Sequence, residues 1–456
     1  MRTLTSEPIV SVGLMDGPET VNFHLTDDYR DEHGRIWPAG GYSALSHQGS
    51  VEIIDSANDH VDRAAAWRLE PLRSSSSFII RDIVIGISFH WEQKQDQEFN
   101  GVLRFQASGD ARLRIINEIP LETYLTSVIS SEMSGGSDLE LLKAHAIISR
   151  SWLLAQLSPW KEDRVKPATP RPPAPAASTE PQLIRWYDRE THLAFDVCAD
   201  DHCQRYQGIT RATSPEVAAA VKATWGEVLT FEGVLCDARF SKSCGGMTEG
   251  FSAAWEDLDY GYLAVSYDGE EFPGEIALPL TEEVNAANWI RGRPPAFCNT
   301  DDHAVLRKIL PDFDQRTTDF YRWRVTLTQE ELQYLLRDKL GIELGAILRM
   351  EPLERGGSGR IVRLRLVGST ETLVIGKELE IRRALSPSHL YSSAFVVDPG
   401  PSPNGIPAEF ALIGAGWGHG VGLCQIGAAI MAERGYNARQ ILAHYYRGAR
   451  MEKLYD

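Results

Sequence analysis

Two imidazoles and two thiols stand within twelve residues of this sequence, at His192, Cys198, His202 and Cys203. Histidine nitrogen and cysteine sulfur are ligands that suit tetrahedral zinc. A site closed by four protein ligands leaves no position for a catalytic water, so its zinc would be structural. The spacing therefore predicts a structural zinc site. A Cys198–Cys203 disulfide and chemically inert residues are the alternatives.

A carboxylate stands at the end of a predicted helix, where Glu132 follows Tyr124 and Val128 at four-residue steps. At that end it meets the negative pole of the helix dipole, and burial beside Tyr124 and Met133 would remove water from it. Both effects favour the protonated carboxyl group that a general acid needs near neutral pH. An ordinary surface glutamate near a helix end is the alternative reading of this local pattern.

Two glycine-containing segments complete the set of chemical candidates. The first runs from Ser243 through Gly245 and Gly246 to Thr248, and the second places glycine at alternate positions from Gly414 to Gly422. The second segment carries Trp417 and His419 and leads to Gln425, side chains that could stack on a sugar or donate hydrogen bonds to it. A tight turn and close internal packing are the respective alternatives. The spacing fits neither a Walker loop nor a dinucleotide fingerprint, and no serine-hydrolase elbow or His-Glu-x-x-His helix occurs.

Two helices are predicted to position Glu132 and its neighbours. Pro120 suits the start of the first, which should stop at Ser134–Gly136. Asp138 is placed to cap the second, which should extend to about Gln156. Lys143 and Arg150 are seven residues apart and are expected to share one face of that second helix.

The remaining pattern predicts an α+β fold. Apolar runs of strand length dominate the first part of the chain, and strands and helices occur in blocks without regular alternation. We expect a β-rich N-terminal part over residues 1–112 and a mixed α+β catalytic core with a central cleft over 113–456. Residues 166–182 are rich in proline and poor in large apolar side chains, which predicts an insertion within the core. Predicted strands include residues 9–14, 83–89, 113–116, 227–231, 235–240 and 359–367, and two closing helices are expected near 422–434 and 437–446.

Composition limits the possible partners. The formal net charge of −17, from 46 basic and 63 acidic residues, argues against nucleic acid as a partner. No apolar run reaches the roughly 18 residues of a membrane span, and the first residues show no secretory signal. We therefore expect no transmembrane segment.

The motifs together resemble the SpoIID/LytB family, the group of stage II sporulation protein D and amidase enhancers. The resemblance lies in Ile119–Leu125, Ser131–Met133 and Leu142–Ser151, followed in order by Thr224–Leu229, Ser243–Thr248 with Trp255, and Gly416–Ala428. Cys244 and Cys424 depart from it, because they occupy small-residue positions of the motifs, and Ser134–Gly136 replaces a more usual proline.

The resemblance implies a peptidoglycan lytic transglycosylase. Its catalytic residue would be Glu132, and its product would be a 1,6-anhydro end formed by cleavage after N-acetylmuramic acid, with a preference for strands without stem peptides. Some members of the family bind a zinc ion through a His/Cys cluster in this region, where His192, Cys198, His202 and Cys203 stand here. It implies an extracytoplasmic location, in the periplasm or cell wall. The expected sugar-binding residues are Lys143, Arg150, Ser243, Thr248, Trp417, His419 and Gln425.

Two other functions are compatible with these motifs. One is a non-enzymatic modifier that binds glycan strands and stimulates a cell-wall amidase. The other is a zinc hydrolase that cleaves the amide between sugar and peptide through an open metal site. A structural zinc predicts that chelation lowers stability, whereas a catalytic zinc predicts lost activity in a folded protein.

Overall fold

The computed structural model describes residues 4–55, 61–86, 92–108, 111–157, 169–170, 180–187, 192–200, 203–212, 214–310 and 317–456. The strands are β1 (Ile9–Asp16), β2 (Thr20–Leu25), β3 (Tyr29–Asp31), β4 (Ile36–Trp37), β5 (Gly40–His47), β6 (Ser50–Asp55), β7 (Val61–Ala64), β8 (Ala66–Pro71), β9 (Ser77–Ile85), β10 (Gln93–Asn100), β11 (Val102–Ala107), β12 (Leu113–Pro120), β13 (Thr169–Pro170), β14 (Gln182–Ile184), β15 (Val197–Cys198), β16 (Glu227–Phe231), β17 (Val234–Leu235), β18 (Phe240–Ser241), β19 (Leu258–Asp259), β20 (Arg322–Thr328), β21 (Ile347–Arg355), β22 (Ile361–Gly368), β23 (Thr372–Gly376), β24 (Phe395–Pro399), β25 (Glu409–Ala415), β26 (Leu423–Cys424) and β27 (Arg450–Lys453). The helices are α1 (Leu121–Glu132), α2 (Leu139–Gln156), α3 (Pro215–Ala223), α4 (Phe251–Ala254), α5 (Glu283–Arg291), α6 (His303–Ile309), α7 (Gln329–Leu340), α8 (Glu378–Ala384), α9 (Gln425–Glu433) and α10 (Ala438–Tyr445). This mixture confirms the predicted α+β class and the β-rich N-terminus.

The chain divides into two compact units. The N-terminal unit comprises Arg2–Arg150, Arg189–Glu227 and Lys453–Asp456, and the C-terminal unit comprises Ser151–Asp188 and Val228–Glu452, with Met1 grouped to it. The predicted boundary between residues 112 and 113 falls inside the N-terminal unit. The physical reason is strand pairing, because β12 is hydrogen-bonded to both β1 and β11.

The N-terminal unit is built on two sheets. One has the strand order β15-β1-β12-β11-β8-β3-β4 and the other β10-β9-β2-β5-β6-β7. Their facing side chains alternate with outward ones along each strand, and Phe23 of β2 meets Phe105 of β11 at a ring-centroid distance of 4.9 Å. The aromatic core between the sheets supports β12, which leads directly into α1.

Helices α1 and α2 follow the sequence prediction closely. Pro120 directly precedes α1, and the chain leaves it through Met133, whose backbone is extended. Asp138 accepts a hydrogen bond from the Glu140 amide at 2.8 Å and so caps α2. Both helices are almost entirely buried along one side, which fixes the residues they carry.

The C-terminal unit contains several smaller sheets. They have the orders β14-β23-β22-β21, β20-β25-β24, β17-β16-β27, β18-β26 and β13-β19. An apolar core around Trp323, Leu332, Leu364 and Phe395 joins the first two sheets to α7 and α8. The pairing of β18 with β26 is parallel and brings the segment after Phe240 next to the segment before α9.

Several predicted elements differ in extent from the observed ones. The predicted strand at 235–240 is interrupted, since β17 ends at Leu235 and β18 begins at Phe240. Of the predicted strand at 83–89, residues 83–85 belong to β9 and residues 87–89 lie outside the described residues. Within the Pro-rich segment 166–182, residues 169–170 pair with β19 and Gln182 begins β14, while residues 166–168 and 171–179 lie outside the description. In the described ranges, no helix is long and apolar enough to cross a membrane.

Candidate functional site

Glu132 is the last residue of α1 and its side chain is half-buried. Its Oε1 accepts a hydrogen bond from the backbone amide of Arg205 at 3.1 Å. A backbone donor fixes a carboxylate more firmly than a mobile side chain would, because the amide itself cannot rotate away. The geometry therefore presents one oriented, partly accessible carboxyl group at the end of a rigid helix.

Residues 203–207, which include the Arg205 amide that binds Glu132, are anchored to α1 by three further contacts. The Gln207 amide donates to the Ser127 hydroxyl at 3.2 Å, and the Tyr124 hydroxyl donates to the Gln204 side chain at 3.3 Å. The ring of Tyr206 stacks on Tyr124 with centroids 5.1 Å apart. Residues 203–207 thus form the rigid support of Glu132. Apart from the predicted zinc ligand Cys203, sequence reasoning missed this support, because nothing in the composition of residues 204–207 marks it.

The His/Cys cluster lies at the start of this support. The ligand atoms of His192, Cys198 and Cys203 all lie within 4.8 Å of one another, and Cys203 Sγ is 3.5 Å from His192 Nε2. In a tetrahedral zinc site, sulfur and nitrogen ligands lie about 3.5 Å apart, given bond lengths of about 2.3 and 2.0–2.1 Å. These three residues therefore fit a zinc ion. His202, the fourth predicted ligand, lies outside the described residues.

Arg150 is fully buried, and its guanidinium forms two hydrogen bonds with Glu122, at 2.9 and 2.6 Å. It also donates to the Glu227 carbonyl at 2.7 Å, while Glu122 accepts from the Gly226 amide and the Tyr455 hydroxyl. This burial does not favour the predicted sugar contact for Arg150. The arrangement instead holds α1 against α2, and Glu122 is a residue that the sequence reasoning overlooked.

Lys143 is on a different part of α2 and remains partly exposed. Its ammonium pairs with Glu140 one turn earlier, at 2.6 Å. Arg150 is buried while Lys143 is not, so the two side chains do not share one accessible face. Lys143 therefore stays a candidate for sugar binding.

In the C-terminal unit, the segment from Ser243 to Thr248, here called the Gly-Gly loop, is held by backbone pairing. Ser243 and Trp417 form an antiparallel bridge, with amide-to-carbonyl distances of 3.1 and 2.8 Å in the two directions. Thr248 is buried, and its hydroxyl accepts from the Ser266 amide at 2.8 Å. The side chain of Ser243 is also fully buried. The bridge between Ser243 and Trp417 joins the two predicted sugar-binding segments. The burial of Ser243 and Thr248, however, does not favour direct sugar contact.

Gly416 and Gly420 of the second segment make room for a buried arginine. The Arg360 guanidinium donates to the carbonyls of Gly418 and Cys244, at 3.1–3.2 Å. A Cβ on Gly420 would lie 2.4 Å from the Arg360 guanidinium carbon, and the φ of Gly420 is +76°. Close internal packing, the alternative considered for these glycines, is thus what the geometry shows.

Trp417 and His419 are partly exposed at this loop. The Trp417 ring stacks on Tyr391 with centroids 4.2 Å apart. His419 Nδ1 accepts from the Val421 amide at 3.0 Å, so its ring proton is on Nε2. Burial, together with the positive charges of Arg239 and Arg360, lowers the pKa of His419 well below its ordinary value. A neutral imidazole can position a hydroxyl group but cannot supply a charge.

Gln425 is the first residue of α9 and is buried. It directly follows Cys424, whose sulfur accepts from the Gly427 amide at 3.4 Å and caps the helix.

The predicted site residues fall into two sets. Glu132, Lys143, Arg150 and the His/Cys cluster belong to the N-terminal unit, and Ser243, Thr248, Trp417, His419 and Gln425 belong to the C-terminal unit.

Comparison with known families gives the same assignment as the motifs. Residues 109–231, which include α1, α2 and the His/Cys cluster, match the family described as "Stage II sporulation protein", SpoIID. This part of the chain is similar to the SpoIID family. The family prediction made from the motifs is confirmed. Residues 249–422 match a second family, described as a domain of unknown function (DUF8618).

Individual relatives are similar to this chain over most of its length. Stage II sporulation protein D of Bacillus amyloliquefaciens is 25% identical over 333 residues, which cover 73% of this chain and 74% of the relative. The protein of the same name from Bacillus subtilis is 22% identical, covering 74% and 76%. An uncharacterized protein of Brachyspira hyodysenteriae is 24% identical over 90% of this chain and 87% of its own length.

Proposed function

We propose that this SpoIID-family protein is a peptidoglycan lytic transglycosylase with Glu132 as its acid and base. The SpoIID family supports the coarser part of this proposal, a sporulation-linked role at the cell wall. The finer part, cleavage of the glycan strand, depends on the geometry of Glu132. Because peptidoglycan lies outside the cytoplasm, the proposal includes an extracytoplasmic site of action.

The observation that carries the proposal is the backbone-held carboxyl group of Glu132. It lies at the end of a buried helix, half-exposed, with one oxygen bound to the Arg205 amide at 3.1 Å. A catalytic acid must be oriented before the substrate arrives, since lost orientation costs rate. The proposal assigns the second oxygen of the carboxyl group to the substrate.

One carboxyl group is sufficient for this reaction. Protonated Glu132 donates its proton to the glycosidic oxygen as the bond from that oxygen to C1 of N-acetylmuramic acid breaks. The 6-hydroxyl oxygen of the same sugar then bonds to C1, and its proton passes to the Glu132 carboxylate. No water is consumed, and the acid is regenerated. A second carboxylate at the 5–10 Å separations of hydrolytic glycosidases is therefore not required.

Zinc has a supporting role in this proposal. His192, Cys198 and Cys203 would hold it, with His202 as the expected fourth ligand, and bound zinc would supply a rigid cross-link without catalytic chemistry. Cys203 is two residues from Arg205, so the cross-link would fix the amide that orients Glu132. Lys143, Trp417, His419 and Gln425 remain proposed positioning residues for the sugar.

The experiment that tests the proposal is mass spectrometry of the products released from intact and from peptide-stripped peptidoglycan. We expect 1,6-anhydro-muramyl ends, with more product from the stripped strands. Glycan binding without any anhydro product would contradict the proposal and favour a modifier that stimulates a cell-wall amidase. Release of free peptides would instead favour the zinc hydrolase.

A further inference from the structure

Four buried ligand-type side chains meet inside the C-terminal unit, far from Glu132 in sequence and unused by the proposed reaction. They are Cys244, Asp268, Cys298 and Cys424, and one ligand atom from each lies within 4.8 Å of the other three. All four are at most 2% exposed. Cys244 and Cys424 are the two residues that depart from the small residues of the family motifs.

The distances suit a single tetrahedral ion. Cys244 Sγ and Cys298 Sγ are 3.7 Å apart. Two thiolates bound to one zinc at about 2.3 Å lie about 3.8 Å apart at the tetrahedral angle. A disulfide would instead require about 2.05 Å between the sulfur atoms. In a [4Fe–4S] cluster each thiolate binds a different iron, and in a [2Fe–2S] cluster two pairs of ligands bind different irons. The four ligands of a cluster are therefore spaced more widely than four ligands of one ion.

Hydrogen bonds from neighbouring groups stabilise the charged forms of Cys424 and Asp268. Cys424 Sγ accepts from the Cys244 amide at 3.2 Å and from the Gly427 amide in the first turn of α9 at 3.4 Å. A helix N-terminus favours a thiolate. Asp268 is oriented by the Tyr445 hydroxyl at 2.7 Å and by the Cys298 amide at 3.1 Å. Such outer hydrogen bonds are typical of ligands that must hold one direction toward a metal.

We propose that Cys244, Cys298, Cys424 and Asp268 form a second, structural zinc site. Three thiolates and one carboxylate carry the same charge as the four thiolates of a common closed zinc site. The ion would connect four segments that are distant along the chain, among them the Gly-Gly loop at Cys244 and the start of α9 at Cys424. It would thereby fix the loops that present Trp417, His419 and Gln425. This inference does not depend on the proposed reaction.

The test is the zinc content of purified full-length variants. Cys298→Ser should hold about one zinc per chain less than wild type. The matched control is Cys236→Ser, because Cys236 is a fully buried cysteine of the same unit that belongs to neither cluster. It should retain the wild-type zinc content. Equal zinc in the two variants would overturn the proposal.

A second measurement avoids substitution in the buried cluster. Cys198→Ser/Cys203→Ser removes two thiolates of the His/Cys cluster and leaves the four buried ligands intact. Reconstituted with Co²⁺, this variant should show the intense visible absorption of a tetrahedral site and thiolate-to-cobalt charge transfer. A folded variant without these bands would overturn the proposal. So would an intact mass that is lower by two hydrogens through a disulfide among Cys244, Cys298 and Cys424.

Discussion

Glu122 and Glu132 are both glutamates of α1, but their surroundings differ. Glu122 is buried and enclosed by Arg150, the Gly226 amide and Tyr455. Glu132 is half-exposed and bound by one backbone amide. The first geometry stabilises the fold, whereas the second leaves the carboxyl group partly exposed, as the proposed reaction requires.

Glu122→Gln is expected to lower the free energy of unfolding by about 3 kcal/mol or more, because it leaves the Arg150 charge buried without its partner. Urea denaturation measures this loss. The control is Glu140→Gln, which removes the partly exposed pair with Lys143 and should cost less than about 1 kcal/mol. Similar midpoints for the two variants would show that the buried pair does not stabilise the protein as argued.

At the scale of elements, the support segment 203–207 links the His/Cys cluster to Glu132. Removal of the proposed zinc by a chelator should loosen this segment, since Cys203 begins it. We expect faster hydrogen exchange at the amides of 204–207, measured by mass spectrometry, while the β2–β5 pairing stays protected. In Cys203→Ser the chelator should have no further effect on these amides. Unchanged exchange in wild-type protein would contradict the role given to the cluster.

The close packing of the segment Gly414–Gly422 against Arg360 can be tested with a pair of glycines that both have positive φ. Gly420→Ala brings a methyl group against the Arg360 guanidinium, whereas Gly435→Ala meets no atom within 4 Å. Both substitutions should lower the free energy of unfolding by about 1 kcal/mol through backbone strain. Gly420→Ala should lose a further 1–3 kcal/mol, roughly the cost of overpacking, in thermal or urea unfolding. Equal losses would show that Arg360 adapts to the added group.

Elements that depend on local pattern were predictable, and contacts between distant residues were not. The ends of α1 and α2 follow from Pro120, Ser134–Gly136 and Asp138, which act on their immediate neighbours. The Arg150–Glu122 pair, the Arg360 contact with the glycine loop and the meeting of Cys244 with Cys298 join residues 28 to 116 positions apart. No periodicity within a single element encodes such pairs.

At the scale of the whole molecule, one buried histidine should make stability depend on pH. Burial lowers the pKa of His145 to about 4 from an ordinary value near 6.5. Between these values the unfolded chain binds the proton that the folded chain excludes, so stability falls as pH falls from about 6.5 to 4. The shift corresponds to roughly 3 kcal/mol. Urea unfolding of wild type and His145→Asn at pH 7.5 and 4.5 should show a smaller loss in the variant; an equal loss would exclude His145 as the cause.

The proposed reaction depends on Glu132, and its most direct test is the rate of anhydro-muramyl product release by Glu132→Gln. We expect at least a 100-fold loss, in the range that general acid–base catalysis supplies, with an unchanged unfolding midpoint. The matched control is Glu216→Gln, an exposed glutamate in the first turn of α3, which should keep the wild-type rate. A Glu132→Gln variant that releases anhydro product at the wild-type rate would contradict the central claim.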